Sequence, residues 1–154
     1  MQVGIATDHG GFSLKQELAA RLRAAGHAVI DFGADKLSPD DDYPDFVIPL
    51  AQTVAAGRVE RGVACCGSGV GASICASKVP GARAALINDH FSARQGVEDD
   101  HLNIICVGCR TISPAVAWGL VQTFLAAEFS QAPRHLRRLS KVASLEQQAM
   151  RAPQ

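Results

Sequence analysis

Five short apolar runs, separated by longer amphipathic stretches, constrain this chain more than any other feature. The runs are Val3–Thr7, Ala28–Phe32, Gly62–Cys66, Arg83–Ile87 and Asn103–Val107. Each is too short for a stable helix and reads as a strand covered on both faces. Between the first two, Leu14, Leu18 and Leu22 recur at helical spacing and stop at Gly26. Comparable patterns predict helices over Phe46–Ala56, Val70–Lys78, Phe91–Val97 and Ala115–Phe129. Pro133 then breaks the chain before a polar, amphipathic last helix over His135–Met150. Residues 33–44 are rich in Ser, Pro and acidic residues and read as a loop.

Strands alternating with helices predict an α/β fold: a three-layer α/β/α sandwich around a five-stranded parallel sheet. The expected strand order is 2-1-3-4-5, Rossmann-like, with a C-terminal helix appended. A length of 154 residues without internal repeat or linker predicts one domain over the whole chain. In such sheets ligands bind beyond the carboxyl ends of the strands. Functional residues are therefore expected just after positions 7, 33, 66, 87 and 107.

Composition narrows the partners. Fifteen basic and fifteen acidic residues balance, so no long-range field draws nucleic acid or an acidic membrane to the chain. No run reaches the roughly 18 apolar residues of a membrane helix, and the Met-Gln-Val-Gly start lacks the basic onset of a signal peptide. Five cysteines, at 65, 66, 75, 106 and 109, have no disulfide-framework spacing, which predicts a reducing cytoplasm.

The densest chemistry follows the third run, at Cys66-Gly67-Ser68-Gly69-Val70-Gly71, directly before a helix. Three glycines in five positions allow a tight turn that converges several N–H groups on one point. The helix start adds positive partial charge, so an oxyanion or phosphate oxygen is held without a metal. Cys66 stands at the mouth of that loop, where the same field favours a thiolate. A base beside an anion hole is what proton abstraction next to a carbonyl requires. The competing reading is a buried structural cysteine before an ordinary turn. Neither the dinucleotide fingerprint, the phosphate-loop lysine nor the serine-hydrolase elbow fits these residues.

After the first run comes Asp8-His9-Gly10-Gly11, suited to sugar hydroxyls or phosphate; alternatively Asp8 simply caps a helix. Tyr43-Pro44 closes the acidic loop, with the ring either at the site or over the core edge. Arg134 and Arg138, four apart around His135, project from one helix face as a phosphate clamp or a solvated basic face. Arg110, just past the fifth run, is a further candidate for the same charge.

Taken in order, Asp8–Phe12, Asp42-Tyr43-Pro44, Cys66–Gly71, Lys78, Gly81-x-Arg83-Ala84, Asn103, Gly108-x-Arg110 and the terminal arginines resemble the family of ribose-5-phosphate isomerase B and galactose-6-phosphate isomerase. The resemblance runs from residue 3 to about residue 146. It implies a cofactor-free and metal-free aldose–ketose isomerase acting on a phosphorylated sugar, with ribose 5-phosphate foremost. It implies a homodimer or tetramer with sites between subunits, residues 134–150 packing on the partner. Cys66 is then the base between C1 and C2, and Ser68 with the amides of Gly67, Gly69, Val70 and Gly71 stabilises a cis-enediolate. Asp8, His9, Tyr43, Arg110, Arg134 and Arg138 contact the sugar and its phosphate.

One stretch departs from that pattern. Ribose-phosphate members carry a His-Asn pair before the fifth strand, and the histidine helps open the furanose ring. Aligned on Asn103, those positions are Asp99 and Asp100, with His101 just beyond. Asp99 and His101 are thus the alternative acid/base groups, and Asp100 lies where the asparagine would bind substrate. A tetrose 4-phosphate cannot close a furanose ring, because its O4 is esterified. Erythrose 4-phosphate and erythrulose 4-phosphate therefore enter as an alternative pair, as does a hexose 6-phosphate.

Two other classes compete. A metal hydrolase could draw on Asp8-His9, Asp40–Asp42, Asp89-His90 and Asp99–His101, none at a specific metal spacing, and Cys106-x-x-Cys109 raises zinc or redox chemistry. In the expected order strand four separates that pair from Cys65-Cys66. A non-catalytic sugar-phosphate sensor would keep the arginines but has no use for a thiol at position 66.

Overall fold

The computed structural model describes residues 1–151. Its strands are β1 (Gln2–Thr7), β2 (Ala28–Asp31), β3 (Arg61–Cys66), β4 (Ala84–Leu86) and β5 (Ile104–Gly108). The helices are α1 (Phe12–Ala24), α2 (Tyr43–Ala55), α3 (Val70–Ala76), α4 (His90–Asp100), α5 (Pro114–Ala126) and α6 (Pro133–Arg151), with a 3-10 turn over His9–Gly11. All strand pairs are parallel, as the alternation predicts.

The strand order is 2-1-3-5-4, which corrects the expected 2-1-3-4-5. Every residue of β5 is buried, whereas β4 has three residues, all half-buried. The fully apolar strand takes the interior position beside β3, and the short one closes the edge. The same correction removes the separation of the cysteine pairs: Ala64 faces Cys106 and Cys66 faces Gly108 across β3 and β5.

Side chains alternate across the sheet. Val3, Ile5, Val63, Cys65, Ile105 and Val107 pack against α1, α4 and α5. Ala6, Ala64, Cys66, Ile104 and Cys106 pack against α2 and α3. Burial pushes the Cys65 and Cys106 thiols far above the ordinary cysteine range, which leaves both as neutral core residues.

The two ends of the sheet are built differently. At the amino end, Arg61 donates to the carbonyls of Phe124 (2.6 Å) and Ala127 (2.8 Å). Asn103 accepts from Arg83 N (2.7 Å) and donates to Gly81 O (2.9 Å). Gly81, Arg83 and Asn103, part of the recognised pattern, therefore tie strand starts together. At the carboxyl end, buried Lys15 binds Asp31 (2.8 Å) and the Ala34 carbonyl (2.8 Å), fixing the chain as it leaves β2 for the acidic loop.

α6 lies against α4 near its start, where His135 is almost fully buried. Farther along, Val142, Leu145 and Met150 remain exposed.

Candidate active site

β3 ends at Cys66, and the chain turns through Gly67–Gly69 into α3. Gly69 caps α3 at φ +79°, a left-handed conformation that an L side chain rarely adopts; a Cβ there would also lie 2.7 Å from Leu86 Cδ1. Helix starts leave their first amides without intrahelical acceptors. Here Val70 N finds only a long contact, 3.4 Å, with Ser68 Oγ, and Ser68 is exposed. The loop thus offers donors toward solvent beside Cys66, whose side chain is 9% exposed at the edge of the core.

Three other segments converge on this loop. From the end of β1, Asp8 accepts from Gly10 N (3.0 Å) and so caps the 3-10 turn over His9–Gly11, whereas α1 itself starts from Gly11 without a side-chain cap. His9, beside it, is held by Asp41 through its backbone N (2.8 Å) and its ring Nδ1 (2.7 Å). From the start of α2, the Tyr43 ring covers Gly71 so closely that a Cβ there would come within 2.9 Å of Cζ. The ring also packs on the α2–α3 core, the covering role considered for it, while it borders the glycine loop. From beyond β5, Arg110 donates its backbone N to Gly67 O (3.0 Å), and its guanidinium lies alongside Gly67. Cys109 donates its thiol to Gly10 O, joining this segment to the Asp8–Gly11 turn.

Asp8, His9, Tyr43, Cys66, Gly67–Gly71 and Arg110 therefore share the carboxyl end of the sheet. The other predicted residues do not join them within one chain. Asp99 and Asp100 are the last residues of α4, which runs three residues farther than expected, and His101 caps it at φ +55°. They precede β5, whose Ile104 is level with Gly62, four residues before Cys66. That register puts them about 13 Å or more from the thiol along the strand direction.

A second polar group forms at this amino end. Asp99 accepts from Gln95 Nε2 (2.8 Å) and lies 3.3 Å from His135 Nε2. Arg134 Nε donates to the same His135 nitrogen (2.8 Å), while Nδ1 meets Ser130 Oγ (2.7 Å). Arg138 borders a cavity of about 440 Å³ with Asp100, Arg83 and Leu139. His101 stacks on Phe129 with ring centroids 4.6 Å apart. Burial, then Arg83 and Arg61, lower its basicity. Asp99, Asp100, Arg134 and Arg138 thus compose one surface group, with His101 at its margin.

Sequence reasoning passed over three participants. Asp41 sits within Asp40-Asp41-Asp42, where composition alone does not single out one acid. His135 stands in the sequence as a neighbour of the arginines, although its spacing of four residues from Leu139 puts both on the inward side of α6. Lys15 carried a signal, a lysine adjoining Leu14 on the apolar stripe of α1.

The profile of the Ribose/Galactose Isomerase family matches residues 3–142. The chain belongs to this family. It is 40% identical over 147 residues to the putative sugar phosphate isomerase YwlF of Bacillus subtilis, covering 96% of this chain and 98% of the relative. Among solved structures, ribose-5-phosphate isomerase B of Clostridium thermocellum superposes with a TM-score of 0.93 at 41% identity, covering 97% of this chain and 99% of that one. The Mycoplasma genitalium ribose-5-phosphate isomerase B, solved with bound ribulose-5-phosphate, gives a TM-score of 0.90 at 33% identity over 95% of this chain and 96% of that one. Family membership makes the chain an aldose–ketose isomerase.

Proposed function

We propose that this isomerase interconverts ribose 5-phosphate and ribulose 5-phosphate by proton transfer through Cys66. The observation that carries the reading is the Cys66 thiol at the mouth of a glycine loop, between Asp8-His9 and Arg110. Cys66 Sγ removes the proton from C2 of the open-chain aldose, and the electron pair forms the C1–C2 double bond of a cis-enediolate. Negative charge on O1 is met by Ser68 and the amides of residues 67–71, at the start of α3. The proton then returns from sulfur to C1, while the O2 hydroxyl proton passes to O1. No net oxidant or reductant is consumed.

The second step of that balance needs an acid/base group near the sugar oxygens, and a cation for the phosphate. Within one chain, Asp99, Arg134 and Arg138 lie at the wrong end of the sheet. In our reading a second copy supplies them, so that one complete site combines the carboxyl end of one subunit with the amino-end group of its partner. Asp99 takes the acid/base role in preference to His101, whose ring is engaged on Phe129. Asp100 borders the same group.

A carboxylate in place of the ring-opening histidine favours a second reading. An acyclic erythrose 4-phosphate/erythrulose 4-phosphate pair needs no ring opening, so Asp99 suffices for it. Measured kcat/KM on ribose 5-phosphate and on erythrose 4-phosphate separates the two. Faster turnover of the pentose supports the first reading, faster turnover of the tetrose the second, and no turnover of any sugar phosphate rejects both.

A further inference from the structure

The acidic loop has no role in the chemistry above, yet one of its carboxylates reaches the site. Asp41 Oδ1 accepts from both the backbone N of His9 at 2.8 Å and its ring Nδ1 at 2.7 Å. The two contacts fix the ring's orientation and its tautomer together, because Nδ1 carries the proton that Asp41 receives. Nε2, on the opposite edge of the ring, has no partner among the described residues.

The loop itself is anchored. Lys15 binds Asp31 and the Ala34 carbonyl on one side, and α2 begins at Tyr43 on the other. Asp41 therefore approaches His9 from a braced support. Its side chain is only 12% exposed, and its second oxygen is buried without a hydrogen-bond partner. A carboxylate left half-satisfied in this way is costly unless a cation stands against it.

We propose that Asp41 is a positioning residue that holds His9 as a cation with Nε2–H presented to an anionic oxygen of the substrate, the phosphate above all. This inference rests on the placement of a sugar phosphate at the carboxyl end of the sheet. The charged groups that act on the ring are Asp41 from the loop before α2 and Asp8 beside it; Arg110 stands beside Gly67, and the Cys109 thiol is bonded to Gly10 O. The Asp41 hydrogen bond raises the basicity of His9, the Asp8 charge adds to it, and partial burial opposes both. The sign follows: His9 stays protonated to higher pH than an ordinary histidine, and anion binding through it fades as pH rises past that point.

The test pairs Asp41→Asn with Asp40→Asn, a neighbouring acid that makes no contact with His9. His9 ring titration is followed by NMR, and inorganic phosphate binding by calorimetry across pH 6 to 9. In Asp41→Asn, His9 is expected to titrate at lower pH, and phosphate binding near pH 8 to weaken about tenfold, the usual weight of a charge-assisted hydrogen bond. At low pH, where His9 is charged in both proteins, the loss is expected to shrink. Asp40→Asn is expected to behave as wild type. Unchanged His9 titration in a folded Asp41→Asn overturns the proposal, as does a binding loss equal at every pH. If wild type turns over no sugar phosphate while these shifts appear, the isomerase reading fails and the pairing of Asp41 with His9 stands.

Discussion

Lys15 and Gly71 show how single residues shape the site, one from outside it and one from within. Lys15 sits on the apolar stripe of α1 yet is 2% exposed, because Asp31 and the Ala34 carbonyl surround its ammonium. Removing one partner of a buried ion pair costs about 3–5 kcal/mol. Asp31 is 30% exposed, so Lys15→Met is expected near the lower end, about 3 kcal/mol by urea unfolding. Gly71→Ala places a methyl against the tip of the Tyr43 ring. The contact is with the far end of the ring, and alanine is favoured over glycine inside α3 by about 1 kcal/mol, so the net stability cost is expected to stay under about 1 kcal/mol. KM for the sugar phosphate is expected to rise, because Tyr43 no longer closes over the loop. An unchanged KM with a folded protein would remove Tyr43 from the site.

At the scale of elements, much of the fold was legible because its signals are local. Apolar runs and helical spacing mark β1 to β5 and α1 to α6 with small errors at the ends, such as α2 beginning at Tyr43 instead of Phe46. The glycine loop was legible for the same reason, since Cys66–Gly71 is contiguous. The β5–β4 order was not, because both runs are apolar and pairing is decided by how fully each can be covered. The distance of Asp99 from Cys66 within one chain was legible by contrast: residues just before a parallel strand lie at its amino end, so their separation from Cys66 was implicit in the topology. The contact between Asp41 and His9 spans 32 positions and depends on a loop path that no periodicity encodes. The start of α6 also depends on a distant partner: His135 meets Asp99 from α4, besides Ser130 in the loop just before it. His135→Ala leaves those groups without their partner and is expected to cost about 1–3 kcal/mol. Faster amide hydrogen exchange in α6, with β1 and β3 unchanged, is the expected sign.

For the whole molecule, the separation of Cys66 and Arg110 from Asp99 and Arg134 has a direct consequence if two copies complete each site. Cys66→Ala and Arg134→Ala are each expected to be nearly inactive alone. Unfolded together in equal amounts and refolded, half of the dimers are mixed, and each mixed dimer holds one site free of both changes. Activity is expected to recover to about a quarter of wild type, the fraction of intact sites in a two-fold dimer. No recovery, with mixed dimers demonstrated, would overturn the shared site. Underneath this arrangement lies the claim that Cys66 carries the proton between C1 and C2. The direct measurement is the exchange of the substrate's transferable hydrogen with deuterated water, followed by NMR, in wild type and Cys66→Ala. The account predicts exchange in wild type and none above background in the folded variant; exchange that persists in Cys66→Ala would show that another group is the base.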